Sequence, residues 1–196
     1  RMILSVELLV ALFVVEFALR LALEIRERRA TMMRGGIFSV LRLIPLVNDI
    51  VPLPESRKEV PESEFVCKHE EGHRHHRHSV LRNIYKVAML LVSVWVLAAM
   101  LVRGGLPLWQ AILWMHLVAI PFRALFHLYC WNQEYEADRY AFKELGKTKT
   151  KAAMHALAEC EIPYTKLFAV MYREHPPVAS RSKKLLNKEI RISGSR

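Results

Sequence analysis

The chain has few cysteines and no close pair of them. Cys67, Cys130 and Cys160 are odd in number and widely spaced, with no CxxC. That excludes a disulfide framework and a cysteine zinc site, and it predicts three reduced thiols on or near the cytosolic side. Acidic residues are also scarce. Nineteen Asp and Glu stand against 29 Lys and Arg, a formal net charge of +10. Such a surplus suits nucleic acid or an anionic membrane surface. There is no aromatic-plus-basic RNA signature and no DNA-binding motif, so a lipid bilayer is the expected partner and nucleic acid is not. The first apolar run lacks the marks of a signal peptide. Its positive charge (RERRATMMR) follows the run, so it reads as a retained helix.

Apolar length is present in excess. Hydrophobic residues make up 53% of the 196, yet 24% are charged. Mean hydropathy is +0.13. This mixture implies segregation into lipid and water. The run from Ile3 to Ile25 is long enough for ~30 Å of hydrocarbon. Glu16 and Arg20 lie inside it four apart and can pair on one helix face. Two further runs, Val87 to Val102 and Leu108 to Phe122, flank the turn signal RGGLP. Their flanks extend them to spans at about 84–103 and 107–128. A buried hairpin in a soluble protein is the alternative. Positive charge concentrates after the first and third spans. The positive-inside rule therefore puts the N-terminus outside, with residues ~26–80 and ~125–196 in the cytoplasm.

Between the first two spans, Gly35, Gly36, Pro45, Pro52, Pro54 and Pro61 cut the chain into short pieces. One of these, IFSVLRLI, fits an interfacial helix or a strand. After the third span, short amphipathic helices are expected near 134–145, 150–160, 164–173 and 178–190, the first stopped by Gly146.

Five of the nine histidines fall within CKHEEGHRHHRH, Cys67 to His78. This stretch contains HExxH: His69-Glu70-Glu71-Gly72-His73. Residues four apart share a helix face, so His69 and His73 can hold one zinc, with Glu70 beside the open position as general base. Pro61 and Ser63 mark the helix start. A third ligand is needed, and NQEYEADRYA supplies candidates. Glu134 and Asp138 share a face: Glu134 can ligate while Asp138 supports a ligand from behind. Glu136 points about 200° away from Glu134. His73 lies 32 residues before Gly105 and Glu134 lies 29 after it. Along two antiparallel helices these are roughly 48 and 44 Å, so the half-sites reach matching heights.

HExxH at 69–73, EYEAD at 134–138 and HPPVASR at 175–181 together resemble the HtpX-type and CAAX prenyl protease group. These are integral-membrane zinc metallopeptidases of the gluzincin type. The resemblance covers roughly residues 60–190. It implies one Zn2+ held by His69, His73 and Glu134, with Glu70, His175 and Arg181 as catalytic residues and Asp138 behind the ligands. His175 or Arg181 would stabilise the oxyanion. There are departures: one span precedes HExxH rather than two, the Asn-Ala-Phe stretch has only Asn48 as its nearest echo, and Asn132-Gln133 stands where an arginine often precedes the ligand glutamate. His75, His76 and His78 match no family ligand. His76, three residues after His73, is a candidate accessory ligand, and His127 reads as a packing histidine.

The expected protein is mainly α: a single integral-membrane peptidase domain over 1–196. It has about three transmembrane helices and a small cytoplasmic zincin-like helical lobe over about 60–80 and 130–190. It is expected to be multi-pass in the cell membrane, with its active site cytoplasmic. Its substrate would be a peptide bond in a membrane-associated or misfolded protein. The competing reading is a non-enzymatic, histidine-rich membrane protein that binds or transports metal.

Overall fold

The computed structural model describes residues 5–27 and 58–193, with isolated positions 41, 44, 47 and 56; side chains from 187 on are not described. Most of the breaker-rich stretch, including Asn48 and all of IFSVLRLI except Leu41 and Ile44, falls outside the described residues. The fold class is mainly helical. Among the described residues there are six helices, and the sole β-pairing is one antiparallel bridge, Ser56 to Glu161. The helices are α1 (Val6–Arg26), α2 (Glu64–His75), α3 (His78–Val102), α4 (Leu108–Cys160), α5 (Lys166–Tyr172) and α6 (Val178–Ser193). The chain forms two compact units, Arg1–Leu53 with Asn83–Arg123, and Pro54–Arg82 with Ala124–Arg196.

In the first unit, Ser5 caps α1 by accepting the amide of Leu8. The paired charges of α1 face inward. Arg20 bonds Glu16, whose Oε1 also lies 2.8 Å from His116 Nε2 on α4, and Phe13 stacks on the His116 ring. A buried ion pair persists only with further polar partners, and His116 is one. The same unit leaves much of α3 bare: Val87, Leu90, Leu91, Val94 and Trp95 are all exposed. By length and composition, α3 and α4 are each able to cross a membrane. α1, at 21 residues, is nearly as long as α3 but carries Glu16, Arg20 and Glu24 within its apolar run.

The third expected span and the helix expected at 134–145 are one continuous element, because α4 does not end at Pro121. It breaks at Gly146, with φ +74 and ψ 178, a conformation that glycine adopts without steric cost. In the second unit the core joins Phe65 of α2, Ala141 and Met154 of α4, and Val178 and Leu185 of α6. Phe168 and Ala169 bury α5. The three cysteines are free: Cys67 is exposed, while Cys130 and Cys160 are buried.

Candidate active site

The second unit builds the site from α2, α4 and the segment that leads into α6. Ser63 caps α2 by accepting the amide of Val66 at 3.2 Å. The helix meets α4 at Gly72. A Cβ there would lie 3.0 Å from the Cα of Ala137 and 3.1 Å from the Cβ of Tyr140. Glycine on α2 and alanine on α4 thus let the two backbones approach. His69 and His73 face α4 across this contact, where Glu134 and Asp138 sit one turn apart.

The ligand atoms of His69, His73 and Glu134 all lie within 4.8 Å of one another. His69 Nε2 and His73 Nε2 are 3.1 Å apart. Glu134 is 1% exposed, and its Oε2 has no hydrogen bond, although it lies 3.3 Å from His69 Nε2 and 3.2 Å from His175 Nδ1. An orphaned buried carboxylate oxygen facing two imidazole nitrogens fits a cation. Burial works against the charge on Glu134, but His175, His69 and His73 outweigh it and hold the carboxyl far below the usual carboxylate range.

The surrounding groups fix these side chains. His69 Nδ1 lies 2.9 Å from Asp138 Oδ1, and Arg181 grips Asp138 with Nε at 2.8 Å and Nη2 at 2.5 Å. Burial disfavours the Asp138 anion, but the Arg181 bonds more than offset this and lower its pKa. The Arg181 guanidinium is therefore held behind His69 by Asp138, and it lines the same cleft as Glu70 and His175. Arg82 donates to Glu134 Oε1 at 2.8 Å and to Gln133 at 2.6 Å. Sequence reasoning missed Arg82, which reads as an interfacial charge at the head of a span. Glu70 is exposed and lines a cleft of about 240 Å³ together with His69, Glu134 and His175. His175 reaches this cleft because its segment is pinned. Trp131 donates to the carbonyl of Arg173, Glu161 accepts the amide of Val178, and His127 Nδ1 lies 2.7 Å from the carbonyl of Val170. A larger cleft, about 760 Å³, is lined by His75, His76, Arg139 and Lys143 but by none of Glu70, His69 and Glu134.

The model of Peptidase family M48 matches residues 43–189. The chain belongs to this family. No curated protein and no solved structure matches it. Membership makes the M48 chain a metallopeptidase, a hydrolase of peptide bonds, and favours that reading over a non-enzymatic metal carrier. The trio at His69, His73 and Glu134 is its candidate metal centre.

The histidine-rich stretch is divided between two helices. RHHRH is not one continuing helix. α2 ends at His75, Arg77 adopts φ +54, and α3 starts afresh at His78. His75 and His76 are exposed, whereas His78 is 2% exposed.

Proposed function

We propose that this M48 chain is an HtpX-type zinc endopeptidase of the membrane, cutting peptide segments of membrane-associated or misfolded proteins on the cytoplasmic side. The observation that carries the reading is the orphaned Oε2 of Glu134 beside two imidazole nitrogens, with Glu70 exposed in the same cleft. His69, His73 and Glu134 would hold one zinc, which supplies a lowered water pKa and a polarised scissile carbonyl. Glu70 accepts the proton of the attacking water and passes it to the leaving amine. His175, 45% exposed and beside Glu134, turns a ring toward the cleft from which it donates to the developing oxyanion. Asp138 and Arg181 orient His69, so Arg181 acts as a positioning residue. The exposed apolar face of α3 and the basic segments after the first and third runs support a cytoplasmic lobe on a membrane anchor.

Glu70→Gln tests the mechanism. The amide keeps the shape but cannot take a proton. The variant is expected to bind zinc like the wild type and to cleave casein at least about a hundredfold more slowly. Cleavage at the wild-type rate would remove Glu70 from the mechanism.

A further inference from the structure

His69 is backed directly by a carboxylate, and His73 is not. The Nε2 of His73 turns inward, 3.3 Å from Glu134 Oε1, and its Nδ1 turns out to His78 Nδ1 at 2.8 Å. His78 Nε2 in turn lies 3.2 Å from Glu136 Oε2. The other oxygen of Glu136 accepts from Asn132 Nδ2 at 3.2 Å. Building on His73 as a metal ligand, we propose that His78 and Glu136 form a two-step positioning relay that fixes the tautomer and ring orientation of His73.

Proton counting supports this. An imidazole that gives Nε2 to a metal carries its proton on Nδ1. That proton must point at His78 Nδ1, which accepts it. The proton of His78 is then on Nε2, where it faces the Glu136 carboxylate. Each ring has a single allowed tautomer, and both terminate on acids of the same α4 motif: His69 on Asp138, His73 through His78 on Glu136. Metal-ligating histidines commonly donate their other nitrogen to such a group. Here the distance is bridged by a second imidazole.

The backbone is arranged for the same end. Arg77 holds φ +54, a left-handed conformation that non-glycine residues seldom adopt. It breaks α2 from α3, so that His78 folds back against His73 while His75, His76 and Ser79 stay exposed. Strain of this kind persists where the surroundings impose it.

The test is the zinc dissociation constant of the full chain, read by competition with a chromophoric chelator. His78→Leu fills similar volume but accepts nothing, and it should weaken zinc binding about 10–100-fold. In His78→Asn the amide oxygen occupies the place of Nδ1, so most of the affinity should return. Glu136→Ala, at a half-buried position, should lose an intermediate amount. A packing role predicts the reverse order, with Leu tolerated and Asn harmful, and that order overturns the relay. If His78→Leu fails to fold, wild-type affinity in Glu136→Ala overturns it instead. A wild-type chain without tight zinc would overturn both the relay and the zinc reading beneath it; tight zinc with unaffected variants would overturn the relay alone.

Discussion

His69 is the residue at which proton and metal compete most directly. Burial disfavours its cation, but the bonds to Asp138 and Glu134 outweigh burial and raise its pKa from 6.5 to about 9. A raised pKa means that, without metal, the protonated ring contributes stability. That contribution is fully present below about pH 6.5 and is lost as pH rises through about 9. Metal binding needs the neutral ring, so metal affinity runs the opposite way. Zinc affinity is expected to fall about tenfold for each pH unit below about pH 9, for one proton displaced. Melting curves of zinc-free and zinc-loaded protein across that range should therefore diverge, with the zinc-free form losing stability as pH rises. An affinity that stays flat between about pH 7 and pH 8 would mean that His69 releases no proton on binding. His69, Glu70 and His73 are legible in the sequence because their spacing is one helical turn and needs no long-range information. Glu134 and Asp138 follow the same rule on a second helix. His78 and Arg82 are not legible, because they reach the site only after a left-handed turn at Arg77. Nothing in RHHRH, which contains neither glycine nor asparagine, announces that turn.

At the scale of the element, the contact between α2 and α4 sets how closely the two histidines approach Glu134. Gly72 allows it, at the expense of a weak helix former inside a helix. Gly72→Ala would gain about 1 kcal/mol of helix propensity. Its methyl, however, would sit 3.0 Å from the backbone of Ala137, which has no flexible end to move aside. Overpacking of this kind costs typically about 1–3 kcal/mol, so the crowding is expected to win. The variant should unfold at lower denaturant and bind zinc more weakly, because relief of the clash carries His73 away from Glu134. A Gly72→Ala protein more stable than the wild type would show that the contact is looser than the distances imply. Helix joints are less legible in the sequence than the helices they connect. Pro121 lies within the third apolar run, yet α4 continues through it to Gly146. A proline removes one hydrogen bond without ending a helix whose neighbours hold it in place. Gly146 is legible as a stop because glycine adopts positive φ without steric cost, and it holds φ +74 where the helix breaks.

For the molecule as a whole, the decisive question is whether the lobe sits on a bilayer and on which side, and the chain carries its own probe. Cys67 is exposed on α2 beside the metal trio, while Cys130 and Cys160 are buried. A membrane-impermeant maleimide therefore has one accessible thiol to find among the described residues. A membrane-anchored protein with a cytoplasmic lobe should sediment with membranes after an alkaline carbonate wash. Its Cys67 should stay unlabelled in intact cells and react once the membrane is opened, and Cys67→Ser should remove the signal. On the anchored reading, the exposed apolar side chains along α3, each worth roughly 1.5–3 kcal/mol when buried, should make lipid or detergent necessary for a monodisperse preparation. The two measurements separate the alternatives. Release by carbonate with solubility in plain buffer would mean that the apolar hairpin is buried against protein. Retention in the membrane with labelling from outside intact cells would leave the anchor standing and reverse its orientation. In that case the basic segments after the first and third runs, the only ground for the orientation, would have pointed the wrong way.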